Sequence, residues 1–365
     1  MARSLARLGA LFIAALLIWI LYFTFELRKT AYSCRTFWTC IGIGDRHGYV
    51  HPLPSTPPYE VEGTLRDGTV WYNREIQGAQ PGILLLTLNK DLGSWSSDFR
   101  STQRTANDFM DVLASTKLDL TNVALAIMTA SDEEFASLKT ATKRLPFART
   151  AIYFRKDDDS GIAYQNRHDP QIQLARRANL ATLRNYLMLR ALQDEEHIIW
   201  LDADVVELSE NIIQAMISHS EVKGESDVGI ITALCHQNEM SNYDKNAWKL
   251  SETPQLLGPV ADGDRDSAST ELVATRIMVP ELINGTDNSA LVPLDSVGGT
   301  ILYIKAELVC KGLIYPSFNV VGTTWSQAGW VGVETEGICY MARALKGGGC
   351  YVLGGTHHVR HSDWG

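Results

Sequence analysis

The sequence predicts an α/β protein whose parallel sheet is covered by helices on both faces. Three observations carry this. Apolar runs of strand length recur along the chain: GILLLTLNKD (82–91), NVALAIMTAS (122–131), ARTAIYFRKD (148–157), HIIWLDADV (197–205) and VGIITALCH (228–236). Segments of helical period lie between them, the pattern of a parallel sheet with crossover helices. Of 365 residues, 45% are hydrophobic and 21% charged, enough apolar material for one large core.

Taken in order, residues 1–7 form a short polar tail. Residues 8–25 are 18 positions without a charge. As a helix they are just long enough to cross a bilayer core, and Trp19 and Tyr22 suit its interface. A cleaved signal peptide is the competing reading, but YFTFELRKT offers no small-x-small cleavage site. A signal anchor leaves the tail cytosolic and the bulk of the chain luminal. Residues 26–80, with the proline-rich HPLPSTPPYE, read as an extended stem, and residues 81–365 as the folded domain.

Within that domain, helices are expected at 97–116, 132–145, 170–193 and 210–219. Asp169-Pro170 opens the third, with Asp as N-cap and Pro at the first helical position. Residues 237–293 are rich in Asp, Asn, Gly, Ser and Pro and read as a long functional connection beside an acceptor site. A strand at 299–305 follows the turn at Asp295 to Gly299, and VETEGICYMARALKGGG (333–349) reads as a helix entered by Glu334 and Glu336.

A net charge of −9 argues against non-specific nucleic-acid binding, which needs Lys and Arg to neutralise phosphate. The six cysteines contain no C-x-x-C, which argues against a structural zinc site. Cys34 and Cys40 can pair in an oxidising lumen. Cys235, Cys310 and Cys339 read as small buried residues. Asn284-Gly285-Thr286 is a glycosylation sequon.

The most informative stretch is HIIWLDADVVEL (197–208). On an extended chain Asp202 and Asp204 share a face, and like charges there need water, a proton or a cation between them. Ligands in such folds bind beyond the carboxyl ends of the strands, where this pair stands. Paired carboxylates at a strand end can hold a hard divalent cation with open positions for diphosphate oxygens. That arrangement suits transfer of a sugar from a nucleotide sugar. Arg176, Arg177 and Arg184 lie on the preceding helix. Positions 177 and 184 share a face, and arginine binds phosphate bidentately.

Four blocks together, RRANLATLRNYLMLRAL, IIWLDADVVEL, PLDSVGGTILYIKAEL and VETEGICYMARAL, resemble the fungal Golgi mannosyltransferases of glycosyltransferase family 62, the mannan polymerase subunits. The resemblance runs from about Gly82 to His361 and extends to the short tail, anchor and stem. It implies a GT-A-type, Rossmann-like domain, GDP-mannose as donor, Mn²⁺ as cofactor (Mg²⁺ as the substitute), and α-1,6-mannosyl transfer with retention. It implies a type II Golgi membrane protein that assembles with related subunits. By the same resemblance Asp202, Asp204 and His361 hold the metal, with His357 and His358 as competing histidines. Thr87, Asn89, Arg184 and Asn185 lie about the nucleotide. Asp295 and Gly298-Gly299 face the sugar, and Glu334 and Glu336 lie near the acceptor. Which carboxylate serves the reacting centre stays open among Asp204, Asp295, Glu334 and Glu336. Two other readings compete: a non-catalytic structural subunit of the same kind of complex, and a D-x-D-x-T phosphohydrolase. Val206 stands where the latter needs Thr.

Overall fold

The computed structural model describes residues 58–362 apart from 98–101, 157–169, 223–226, 239 and 253. The expected tail and anchor lie outside the described residues, as do most of the stem, Cys34, Cys40 and Asp169.

Strand-forming runs sit where the apolar segments predict them, with the ends trimmed. The chain carries β1 (Tyr59–Thr64), β2 (Val70–Glu75), β3 (Ile83–Asn89), β4 (Val123–Thr129), β5 (Arg149–Phe154), β6 (His197–Leu201), β7 (Val205–Leu208), β8 (Val228–Thr232), β9 (Leu234–His236), β10 (Trp248–Leu250), β11 (Arg276–Met278), β12 (Leu291–Pro293), β13 (Ile301–Lys305), β14 (Gly349–Leu353) and β15 (His358–His361). Its helices are α1 (Ala106–Ser115), α2 (Asp132–Ala141), α3 (Pro170–Ala191), α4 (Ile212–Ser220), α5 (Arg265–Ala274), α6 (Val279–Leu282), α7 (Ala306–Cys310) and α8 (Thr335–Ala342).

Ten strands form one sheet in the order β1-β2-β5-β4-β3-β6-β13-β8-β14-β12. The central β5-β4-β3-β6 block is parallel, as its unbroken apolar strands require. β13 runs antiparallel to both β6 and β8, so the sheet is mixed rather than all parallel. The alternation of helix and strand held through β6. It failed at β13, which is entered from the long connection and not from a crossover helix.

Residues 59–75 correct the expected stem. They form a hairpin of β1 and β2, and β2 pairs with β5. Alternating VEGT and VWYNRE stretches build an edge here, although the prolines just before them read as spacer. The expected strand 228–236 divides at Ala233: β8 stays in the main sheet, while β9 joins a second sheet of order β7-β15-β9.

Both faces of the sheet are covered. On one, Phe109 and Met110 of α1, Phe135 of α2 and Met216 of α4 pack against Leu85, Leu125, Ile199 and Leu201. On the other, Leu187 and Met188 of α3, Leu308 of α7 and Ile338 of α8 pack against Leu84, Leu86, Trp200 and Leu302. A third cluster joins Trp248, Leu257, Leu272, Val321 and Trp330. The long connection 237–293 is therefore partly ordered into β10, β11, α5, α6 and β12.

Cysteine usage departs from expectation. Cys339 on α8 is bonded to Cys350 on β14, with Cα atoms 5.9 Å apart, and Cys310 is also in a disulfide. Cys235 and Cys339 are buried as expected and Cys310 is exposed, while Cys235 is the free thiol of the three. A helix packed beside a strand brought Cys339 and Cys350 together, which spacing alone does not show. Asn284 of the sequon is exposed. Among the described residues no helix is long and apolar enough to cross a membrane.

Candidate active site

The carboxyl ends of β3, β4 and β6 share one edge, since all three run parallel. At the end of β6 the chain does not stay extended. The Asp202 amide donates to Thr300 O at 3.0 Å, and the Val205 amide donates back to Asp202 O at 3.2 Å. Asp202-Ala203-Asp204 is thus a tight turn between β6 and β7. Buried Arg104 supports it, donating to the carbonyls of Trp95 (3.0 Å) and Val205 (2.9 Å).

Arg184 of α3 crosses over the face of Trp200, 5.0 Å from the ring centroid, and its fork is divided between two acids. Nη2 donates to Asp202 Oδ1 at 3.1 Å, and Nε lies 2.9 Å from Glu334 Oε1. Arg184 and Glu334 are both buried. Burial disfavours the arginine's charge, but Glu334 and Asp202 outweigh it and hold the guanidinium firmly protonated. Burial pushes the Asp202 carboxyl up to about 7; Arg184 opposes the rise, while Asp204, Asp244 and Glu334 add to it. Glu334 itself adopts φ 62°, ψ −130°, a backbone region that side chains rarely visit. Its amide donates to Pro316 O at 2.8 Å, and its Oε2 accepts from Thr335 Oγ1 at 2.8 Å. Such strain persists only where the surroundings impose it, and it is concentrated at functional sites.

Asp204 faces the second sheet. β15 lies between β7 and β9, which carries His361 to Asp204: Nε2 is 2.7 Å from Oδ2. The Ser362 amide donates to Asp204 O at 2.9 Å, fixing the two segments together. Burial works against protonation of His361, but its hydrogen bond to Asp204 and that group's charge raise its pKa overall. Tyr243 stacks on the ring at 4.2 Å between centroids, and Gln237 lies 3.3 Å from Nδ1. Of the three competing histidines, His361 is the one that meets the acidic turn. His358 is engaged with Thr356 O and with the ring of His236, and His357 is buried elsewhere.

The other expected residues divide. Gly298 and Gly299 belong to the group: a Cβ on Gly299 would stand 3.0 Å from Arg184 Nη2, and one on Gly298 would strike Asp244. Thr87 and Asn89 are buried at the end of β3, with Asn89 accepting from Thr129 Oγ1. Asn185 does not point at a ligand site. It clamps the Tyr315 backbone, donating to its carbonyl (2.7 Å) and accepting from its amide (2.8 Å). Glu336 is held between Arg177 (3.0 Å) and Arg276 (2.6 Å). Asp295 is not brought to the turn: Arg343 takes Oδ1 at 2.5 Å and the Leu250 amide takes Oδ2 at 2.9 Å. It links Arg343, just past α8, to Leu250 of β10. Arg176 is exposed on α3.

Sequence reasoning missed Asp244. Its Oδ2 accepts from the Gly299 amide (2.7 Å), the Thr300 amide (3.2 Å) and Thr300 Oγ1 (3.1 Å). It pins the glycine turn beside Arg184. Nothing in NYDKN marks it, because its partners are some 55 positions away.

Among the described residues no group of three or more His, Cys, Asp or Glu converges as a ready-made metal site. The donor set nevertheless fits a divalent cation. Asp204 Oδ1 is buried and makes no hydrogen bond among the described residues, and the His361 nitrogen stands at the other oxygen. Buried polar atoms without partners are rare and call for an explanation. Imidazole with carboxylates suits a borderline ion such as Mn²⁺. Arg184 Nη1 is likewise buried without a hydrogen bond among the described residues.

The acids, the arginine and the histidine are thus gathered where the parallel strands of a doubly covered α/β sheet end, the edge at which such folds bind ligands. The chain belongs to the Anp1 family, whose sequence profile matches residues 95–319. It is 31% identical over 215 residues to the mannan polymerase complex subunit mnn9 of Schizosaccharomyces pombe, covering 57% of this chain and 59% of that one. It is 29% identical over 231 residues to the mannan polymerase complex subunit MNN9 of Candida albicans, 60% of each chain. It is 27% identical over 220 residues to the mannan polymerase I complex VAN1 subunit of Saccharomyces cerevisiae, 58% of this chain and 38% of that one. The matched region spans about six tenths of the length of the first two relatives. The expected kinship with mannan polymerase subunits is borne out. Among solved structures, S. aureus TarS 1-349 aligns at 9% identity and TM-score 0.42, over 77% of this chain and 60% of that one. A mannosyltransferase from Pyrobaculum calidifontis, solved with GDP-Man and Mn²⁺, aligns at 9% identity and TM-score 0.41, over 78% and 58%.

Proposed function

We propose that the chain is a GT-A-type, metal-assisted mannosyltransferase that moves mannose from GDP-mannose to a mannan or N-glycan outer-chain acceptor, in α-1,6 linkage and with retention. It works as a subunit of a mannan polymerase complex, anchored as a type II protein in the Golgi membrane with its catalytic domain luminal. The observation that carries this reading is the linked group Glu334–Arg184–Asp202 and Asp204–His361 at the carboxyl end of β6. Family membership supports it, and the disulfides support an oxidising compartment.

In this reading Asp202, Asp204 and His361 hold Mn²⁺, which when bound offsets the charge that develops on the departing GDP. Arg184 supplies fixed positive charge beside the diphosphate, kept in place by Glu334 so that no reorganisation is needed during transfer. Gly298 and Gly299 let backbone approach the donor where a side chain would collide with Arg184 or Asp244. Arg177 and Arg276 hold Glu336 near the acceptor side. No protein nucleophile is assigned.

The test is donor turnover by the full chain purified with its related subunits and Mn²⁺. The expected outcome is GDP release coupled to mannose transfer that disappears when Mn²⁺ is chelated. Transfer that proceeds equally without this chain would support the structural-subunit reading instead.

A further inference from the structure

Residues 316–333 form an irregular hairpin whose two feet stand at the candidate active site. Tyr315 precedes one foot: its backbone is clamped by Asn185 and its ring lies 5.5 Å from Arg184. The other foot is Glu334, which bonds back to Pro316 and pairs with Arg184. Cross-strand bonds run from Val321 to Val331 (2.9 Å), Trp330 to Val321 (3.0 Å) and Gly329 to Asn319 (3.0 Å). The tip closes at Thr324 and Gln327. Its side is fastened to the body: Trp330 Nε1 donates to Gly258 O (3.0 Å) and Gln327 donates to Asp262 (2.8 Å).

This hairpin treats its two tryptophans oppositely. Trp330 is buried with Val321 and Leu272 in the third core cluster. Trp325, at the tip, is 108% exposed, more than any other large hydrophobic among the described residues. Its neighbours Thr323, Thr324 and Ser326 are exposed hydroxyl residues. Phe318, near the foot, is 55% exposed. A fastened hairpin that buries one indole and presents the other has not merely run out of core.

We propose that Trp325 is a platform for the acceptor, on which a pyranose ring of an oligosaccharide chain lies while its growing end reaches the Arg184 group. The proposal rests on the transferase reading and deepens it by assigning a residue that contacts the acceptor. A pyranose offers an apolar C–H face edged by hydroxyls, and one indole flanked by Thr and Ser matches both parts. A protein partner matches less well. Stable protein interfaces bury about 800 Å² a side around an apolar centre, whereas this indole stands alone among hydroxyl side chains. Trp325 is nine positions before Glu334, so the platform stands at most about 30 Å from it along the chain. A chain of sugars can span any separation up to that bound.

The test measures binding of α-linked manno-oligosaccharides of increasing length to the full chain by calorimetry, for wild type, Trp325→Ala and Trp325→Tyr. Melting temperature checks that each variant is folded. Wild-type affinity is expected to rise with glycan length. Trp325→Ala should lose about tenfold on the long glycans, about 1.4 kcal/mol, and Trp325→Tyr should recover much of it. Equal affinity of wild type and Trp325→Ala at every length would overturn the platform. So would unchanged glycan affinity together with failure of Trp325→Ala to assemble with related subunits, which would make the tip a protein contact. Binding is read without turnover. Absence of donor turnover beside a Trp325-dependent glycan affinity would therefore overturn the transferase reading alone.

Discussion

In an Asp204→Asn variant, mannose transfer is expected to fall by about 10²-fold or more, while the melting temperature stays close to wild type. The first half follows from charge. Asp204 places a carboxylate against His361 at the end of β6, and its Oδ1 makes no hydrogen bond among the described residues. Groups that stabilise developing charge in a water-poor site are commonly worth about 10²–10³ in rate. The second half follows from the neighbourhood. Asp202, Asp244 and Glu334 crowd the same region, and Asp202 is already pushed toward the protonated form. Removing one acid from such a set relieves repulsion, and Asn retains an oxygen for the hydrogen bond with His361. Transfer kinetics and a melting curve on one preparation check both halves. Full activity in a folded Asp204→Asn protein would contradict the assignment of this turn.

Arg184→Leu is expected to do the reverse and strike stability first. Arg184 and Glu334 side chains are only 7% and 8% exposed, and Asp202 shares the same guanidinium. Without the arginine, Glu334 is a buried carboxylate with no cation, on a backbone already held at φ 62°. Removing one partner of a buried pair costs about 3–5 kcal/mol, and the lost stacking on Trp200 adds to it. The unfolding free energy from urea titration should drop by that amount, with the midpoint lowered in proportion and the slope unchanged. Arg184→Lys should fall between the two, since a single ammonium cannot face Asp202 and Glu334 with a planar fork. A loss below about 1 kcal/mol for Arg184→Leu would mean that Glu334 does not need the pair.

How far the sequence could be read depended on the range of the interactions. The parallel block was legible because β3, β4 and β6 are buried on both faces and so carry unbroken apolar runs. The acidic turn was legible because a buried strand ending in D-A-D has few structural uses. Its shape was not, since the bend depends on Thr300, which β13 places beside Asp202. Glu334 was read as a helix-entering acid, and only the fold reveals its pairing with Arg184, 150 positions earlier. The partners of Asp295 were hidden because nothing in D-S-V-G-G marks an acid that will meet Arg343 and the Leu250 amide. Asp244 and the Cys339–Cys350 bond carried no local mark at all. Trp325 was equally silent, because exposure is a property of the hairpin and not of the residues GTTWSQAGW.

The central claim is that the end of β6 binds a guanosine diphosphate donor together with a divalent ion. The most direct measurement is the melting-temperature shift of the full chain with GDP-mannose, GDP and UDP-glucose, each with and without Mn²⁺, beside Asp204→Asn. A ligand at 100 times its dissociation constant adds about 2.7 kcal/mol to stability, a readily measured shift. The account predicts stabilisation by GDP-mannose and GDP that requires both Mn²⁺ and Asp204, with little response to UDP-glucose. Stabilisation by GDP ligands that is the same without Mn²⁺ and in Asp204→Asn would contradict it, as would a well-folded chain in its complex that responds to none of them.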